Sequence, residues 1–411
     1  MSNYSAFIAG ISKLMLGSGL AQVLTMIAMI VSARFYTPEN FSDFGVYIAV
    51  VAIVLTFATG RLDLALIQVG TLLEYKKILS TAFSILFGSS VLFMICMTQL
   101  YDFELGDRMV ILIFFGLIST GVSQVYSNLF SSQERYGEIG LLRFMAALLF
   151  AVLSIGFAYY DIYVSEGLIL ASLISQSSNA LMYIARSRVP LTVPGVGELK
   201  SVITEYRDYW TMDSVSALLN TVGRQLPLII FPTIFGSVIA GYYFFSQRMI
   251  AAPVNLVANS VGNVFRKGAT KEYDERGNFR ELFLFALVRL LLGAIVGTTT
   301  VFLVVDENIV KLIFGDQWVG ITYILRAVVV FYAFKFVVSP LTYSLYVVRR
   351  LHWNLFGQLL YLTCLFMPVA IGWYLGYQAN LIISLHVVGA CIAYTWYLGM
   401  SYYCAVKGSA L

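Results

Sequence analysis

The sequence predicts an all-α integral membrane protein, with about twelve transmembrane helices arranged as two six-helix bundles. Three observations lead there. Of 411 residues, 59% are hydrophobic and only 12% are charged. The apolar residues gather in stretches long enough to cross a bilayer, which takes ~20 of them. Between those stretches, Lys and Arg are concentrated on every second loop.

The stretches run approximately over 8–34, 44–69, 79–100, 109–130, 140–160, 165–185, 210–235, 239–265, 282–305, 319–344, 353–375 and 380–404. One set of loops carries Lys76 and Lys77; Arg135 and Arg143; Arg186, Arg188, Lys200 and Arg207; Arg266, Lys267, Lys271, Arg276 and Arg280; Arg349 and Arg350. The alternate set carries only Arg34, Arg108 and Lys311. Cytoplasmic loops are the ones that retain basic residues. Lys13 and Lys407 fall with the rich set, so both termini are expected in the cytoplasm and the span count is even.

So apolar a chain has no room for a separate soluble domain. The sequence pI of 8.7 is not a nucleic-acid signal, because the basic residues are spread over loops instead of one face. Cys96, Cys364, Cys391 and Cys404 lie in or at the ends of apolar stretches and read as buried thiols. The first stretch is too long for a cleavable signal peptide and lacks a small-residue cleavage pattern. His352 and His386 have no metal-binding spacing, and no catalytic constellation stands out. His386 reads as a packing residue with its polar atoms satisfied.

The longest polar interval combines Pro190, Pro194, Gly195 and Gly197 with four basic residues. It divides the chain into a bundle over 1–190, a linker over 191–209 and a bundle over 210–411. Short echoes sit at matching places in the halves: Gly45-Val46-Tyr47 with Gly241-Tyr242-Tyr243, and Gly106-Asp107 with Gly315-Asp316. Six spans per half keep the same orientation, so the halves are expected as parallel repeats about a pseudo-twofold axis along the membrane normal.

Several spans carry a polar stripe. In span 7, Asp213, Ser216, Asn220 and Arg224 are spaced for one helical face. Span 8 repeats this with Arg248, Asn255, Asn259 and Asn263. Span 1 carries Ser18, Gln22, Thr25 and Ser32; span 4 carries Ser119, Ser123 and Ser127, with Gln124 beside them. The Ser and Thr stripes fit hydrogen bonding between helices equally well. Spans 7 and 8 differ because each includes an Arg. At ~1.5 Å per residue, Arg224 and Lys335 lie near the middle of their spans, with Arg248 about one turn from the middle of its own. Such a charge costs at least ~2.5 kcal/mol unless it faces water, a counter-ion or a ligand. Arg61 is a fourth candidate. The acids Asp63 and Asp213 are fewer than the cations and could neutralise part of them. A net-cationic cavity suits an anion, and phosphate above all, since Arg offers a two-pronged fork to phosphoryl oxygens.

Taken together, the residues resemble the polysaccharide repeat-unit flippases (Wzx-type) of the MATE-like multidrug/oligosaccharidyl-lipid/polysaccharide exporter superfamily. The resemblance is carried by Ala33-Arg34-Phe35-Tyr36-Thr37-Pro38-Glu39, Phe44-Gly45-Val46-Tyr47, Arg61-Leu62-Asp63-Leu64-Ala65, Tyr206 through Trp210, Gly241-Tyr242-Tyr243, Gln247-Arg248, Pro253, Val264-Phe265 and Phe314-Gly315-Asp316-Gln317-Trp318. It implies a MATE-like fold whose two bundles flank a central cavity in the bacterial inner membrane. It also implies transfer of undecaprenyl-diphosphate-linked oligosaccharide (O-antigen or capsule precursor) to the outer leaflet. On this reading Arg224, Arg248, Lys335 and Arg61 bind the substrate and Asn220, Asn255, Asn259, Gln22 and Ser123 line the cavity. Asp63 and Asp213 are the candidates for coupling to an H+ or Na+ gradient. No cofactor or metal is implied; the expected partners are the lipid-linked substrate, membrane lipids, a polysaccharide polymerase and a chain-length regulator. A drug:cation antiporter of the same fold and a membrane polymerase or ligase stay open as alternatives.

The loop charges make a direct prediction. With Asn278→Cys, an impermeant thiol reagent added outside intact cells leaves the protein unlabelled, whereas Gly376→Cys is labelled. Outside labelling at 278 contradicts the topology.

Overall fold

Spans that must satisfy every backbone N–H and C=O without water have to be helical, and helices are what form. The computed structural model describes residues 2–100, 107–190, 192–207 and 209–407; the side chains of 2–14, 100, 107, 212, 213, 216 and 351 lie outside the described set, as does Gly106. In chain order the helices are α1 (Ser2–Ser32), α2 (Pro38–Ala58), α3 (Leu62–Ala65), α4 (Leu72–Leu100), α5 (Asp107–Ser132), α6 (Tyr136–Tyr159), α7 (Gly167–Arg186), α8 (Val196–Glu205), α9 (Ser214–Phe235), α10 (Ser237–Arg276), α11 (Arg280–Val304), α12 (Glu307–Phe314), α13 (Ile321–Leu341), α14 (Tyr343–Val347), α15 (Leu351–Tyr374) and α16 (Ala379–Lys407). No strand occurs among the described residues.

Eleven helical segments among the described residues are long and apolar enough to cross a membrane. The remaining expected span, 239–265, lies inside α10, which is continuous for 40 residues. Its Gln247, Arg248 and Asn side chains make it the least apolar of the long helices.

Three details differ from the sequence reading. The second stretch, expected unbroken over 44–69, breaks after Ala58, where Gly60 (φ 60°) and Arg61 (φ 56°) turn left-handed. The interval 191–209 contains α8, which buries Val202. The interval before α13 contains α12, capped where the Asp306 carboxylate accepts from the Ile309 N–H at 2.7 Å.

By internal contacts the chain forms two compact units, Met1–Tyr36 with Asp43–Ile229, and Thr37–Ser42 with Ile230–Leu411. In the first unit α5 is the central helix, packed by α3, α4, α6 and α7. Tyr126, Phe130 and Tyr183 fill its core, with the last two rings edge-to-face at 5.2 Å. Helix α1 lies against α6 so tightly that a Cβ on Gly17 would come within 2.6 Å of the Gly140 Cα. The Tyr36 hydroxyl donates to the Ser154 carbonyl at 2.8 Å.

In the second unit α13 takes the central place, packed by α10, α11, α12, α14 and α16. Here the motif residues converge. Trp318 is fully buried, with its ring centroid 5.1 Å from Phe41 and 4.6 Å from Phe245; Phe245 lies 5.1 Å from Phe314. The Tyr242 hydroxyl donates to the Gln317 carbonyl at 2.9 Å. The Thr37-Pro38-Glu39, Gly241-Tyr242-Tyr243 and Phe314–Trp318 segments thus build one aromatic cluster, and no Cβ fits at Gly241 against the Pro38 carbonyl oxygen. His386 is 1% exposed. Its Nδ1 lies 3.1 Å from the Leu365 carbonyl, which can only accept, so Nδ1 holds the proton. Nε2 then accepts from the Tyr243 hydroxyl at 3.2 Å. This is the satisfied packing residue the sequence indicates.

Pro368 lies inside α15 and has no N–H to bond the Cys364 carbonyl four residues back. Gly389 of α16 approaches that same carbonyl so closely that a Cβ has no space. Gly389→Ala should therefore force the helices apart, at about 1–3 kcal/mol. Thermal unfolding in detergent should show a lowered melting temperature; an unchanged one would mean the two helices can shift freely.

Candidate functional site

The polar residues of the spans fall into two groups, those with partners inside the protein and those without. Asp63 heads the first group. The left-handed turn at Gly60 and Arg61 redirects the chain into α3 and brings this carboxylate, 0% exposed, against α5. Thr59 Oγ1 donates to Oδ1 at 2.8 Å. Gln124 Nε2 and Asn128 Nδ2, one turn apart on α5, both donate to Oδ2 at 2.9 Å. A buried charged group is tolerable only when hydrogen-bonded in this way. Arg61 is half-buried at the start of α3 and is not without a partner.

The serine stripes are also partnered. On α5, Ser119 pairs with Ser177 of α7 at 2.8 Å, and Ser123 donates to the Gln176 carbonyl at 3.5 Å. On α1, Ser32 donates to Ser154 of α6 at 3.3 Å, Thr25 bonds its own Ala21 carbonyl at 2.8 Å, and Gln22 is engaged as well. The serines join helices, as polar residues in apolar bundles commonly do, whereas Thr25 bonds within its own helix.

The second group lies on α9 and α10. Arg224 and Asn220 are exposed on one face of α9, and neither bonds a described residue. The side chain of Asp213, the counter-ion candidate for Arg224, lies outside the described residues. On α10, Arg248 and Asn259 are exposed and Asn255 is half-buried. Among the described residues no carboxylate pairs with Arg248. Within the second unit, Arg248 and Lys335 do share a neighbour. The Lys335 ammonium sits 5.1 Å from the Tyr332 ring centroid, and Tyr332 lies within electrostatic reach of Arg248. Tyr332 is buried, and Lys335 is half-buried with a further partner. The sequence reading missed Tyr332, although it stands three residues before Lys335, the spacing of one helical face.

Arg61 and Arg224 belong to the first unit, Arg248 and Lys335 to the second. Arg326 of α13 donates to the Val305 carbonyl at 2.9 Å. Among the described residues no three His, Cys, Asp or Glu side chains gather as metal ligands.

Comparisons with known proteins agree on the fold. A family described as "Polysaccharide biosynthesis protein" matches residues 31–323. Lipid II flippase MurJ in an inward closed conformation superposes with a TM-score of 0.75 at 13% identity, over 97% of this chain and 90% of that one. An inward-facing multidrug resistance MATE family transporter of the MOP superfamily superposes with a TM-score of 0.68 at 14% identity, over 92% and 93%. A MOP superfamily transporter from Pyrococcus furiosus, described as having a binding pocket of reversed polarity, follows with a TM-score of 0.60 at 12% identity, over 95% and 94%. No curated protein matches in sequence. The fold is therefore that of the MurJ- and MATE-like membrane transporters.

Asp63→Ala should strand the three donors of Thr59, Gln124 and Asn128, at ~1–3 kcal/mol for each donor that stays buried and unpaired. The expected result is a lower melting temperature and lower abundance in the membrane. Unchanged stability would mean that water replaces the carboxylate.

Proposed function

Because the chain belongs to the polysaccharide biosynthesis protein family, we propose that it is a flippase for lipid-linked oligosaccharide. It carries undecaprenyl-diphosphate-linked repeat units, of O-antigen or capsule, from the cytoplasmic to the outer leaflet of the bacterial inner membrane. Its termini lie in the cytoplasm. One observation carries the reading: Arg224 and Arg248 stand exposed on polar faces of spans, with no acid paired to them among the described residues. A cation held inside a span at a cost of at least ~2.5 kcal/mol implies an anionic ligand, and a diphosphate presents two phosphoryl groups to a guanidinium fork.

On this reading Arg224, Arg248, Lys335 and Arg61 take the diphosphate. The amides of Asn220, Asn255 and Asn259 offer donors and acceptors to sugar hydroxyls. Gln22 and Ser123 support the helices behind them. The polyprenyl tail stays in lipid, and alternating access moves the polar head group across. No bond of the substrate is made or broken, so the protein is a transporter and not an enzyme. A gradient of H+ or Na+ drives the cycle through Asp63 or Asp213. The product passes to a polymerase working with a chain-length regulator.

The MATE likeness also raises export of organic cations. That chemistry calls for an acid free to meet the cargo. Asp63 is buried and already accepts three hydrogen bonds, which favours the anionic substrate.

Arg224→Ala should sharply reduce surface polysaccharide at unchanged protein level. Arg224→Lys keeps the charge, loses the fork and should reduce export partly. If Arg224 is only the counter-ion of Asp213, the single variants lower protein abundance instead, and Arg224→Ala with Asp213→Ala restores export. That restoration would falsify the ligand-binding role.

A further inference from the structure

Arg143 was counted with a basic loop, but the structure places it inside a span. It stands seven residues after Tyr136 at the start of α6, ~10 Å along the helix axis. Three other helices reach it. Nη1 donates to Ser18 Oγ of α1 at 3.1 Å, and Nη2 donates to Ser127 Oγ of α5 at 3.2 Å. Tyr183 of α7 lies beside both Ser127 and Arg143. It is 1% exposed, and its hydroxyl makes only long contacts, to the Ser127 hydroxyl and the Arg143 guanidinium. The close contact between Gly17, the neighbour of Ser18, and Gly140, about one turn before Arg143, brings Ser18 within reach.

Two facts remain unexplained by packing. No carboxylate among the described residues pairs with Arg143, although a charge inside a span is costly. The guanidinium is still exposed, with donors beyond those given to the serines. Beside it the buried Tyr183 hydroxyl has only long contacts, to Ser127 and Arg143, less than native interiors usually provide. One ligand chemistry answers both. An anionic phosphoryl group would take the free edge of the guanidinium and the hydrogen of Tyr183. The two serine hydroxyls accept from Arg143, so each keeps its own hydrogen to donate.

We propose that Arg143, Ser18, Ser127 and Tyr183 form a phosphoryl-binding site in the first unit, on the side the loop charges place toward the cytoplasm. Its residues come from α1, α5, α6 and α7, none of them from α9 or α10. Its ligand is the head group of an anionic lipid, from either of two sources: a polyprenyl diphosphate or the bulk phospholipid. Only assignment to the transported lipid rests on the flippase reading; the phosphoryl chemistry stands without it.

The test uses the full chain in phosphatidylcholine nanodiscs, titrated with geranylgeranyl diphosphate and, separately, with phosphatidylglycerol, with binding read by microscale thermophoresis. The parent should bind at least one probe. Arg143→Ala should weaken it at least about tenfold, the loss expected for a charge-assisted contact, and Arg143→Lys by less. Tyr183→Phe removes only the hydroxyl. It should weaken binding about threefold at an unchanged melting temperature, which a packing role does not predict. Preference for the diphosphate identifies the transported lipid; preference for phosphatidylglycerol identifies bulk lipid. The site is refuted if the parent binds neither probe, or if Arg143→Ala and Tyr183→Phe both bind like the parent. Unchanged binding in these variants beside lost export in Arg224→Ala removes this site and leaves the flippase reading standing. Weakened binding beside normal export in Arg224→Ala does the reverse.

Discussion

A polar or charged side chain within the hydrocarbon has no water to turn to, and that constraint governs the rest of this structure. Inside the first unit it explains why α2 breaks where it does. The left-handed turn at Gly60 and Arg61 surrenders helical hydrogen bonds, and beyond it Asp63 meets donors from Thr59 and from Gln124 and Asn128 of α5. In the second unit it explains His386, whose two ring nitrogens are both occupied. Near the N-terminal end of α13 it explains the Arg326 contact with a backbone carbonyl.

The same constraint makes exceptions informative. Satisfied groups join helices and need no ligand. Arg224 and Arg248 are exposed without acid partners among the described residues, and the buried Tyr183 hydroxyl has only long contacts. In a soluble protein, water would meet such groups at little cost. In a span they point to a ligand or a water-filled space, so function is read from the residues that packing leaves unserved.

The segments that resemble the flippase family turn out to do different work. Those around Pro38, Gly241 and Trp318 meet in one aromatic cluster and serve the fold. The Arg61–Ala65 segment builds the turn that buries Asp63. Of the pieces that carry the likeness, Gln247-Arg248 is the one whose cation remains open. A family's recurring motifs can mark where helices must touch as readily as where cargo binds.

The helical character, the membrane class and the approximate limits of the spans were legible in the sequence, because hydropathy and helix length answer to the bilayer alone. So was the polar nature of α9 and α10, whose side chains repeat at helical spacing. The break after Ala58, the helices α8 and α12, and the partners of each polar residue were not. They depend on which neighbour stands across a helix interface, and spacing along one helix carries no record of that. Ser123 and Asn220 look alike in sequence, yet the first bonds α7 and the second is exposed. Arg143 looked like a loop residue because α6 starts earlier than hydropathy suggests. Only the packing of α1, α5, α6 and α7 shows it held inside the first unit with its charge unanswered.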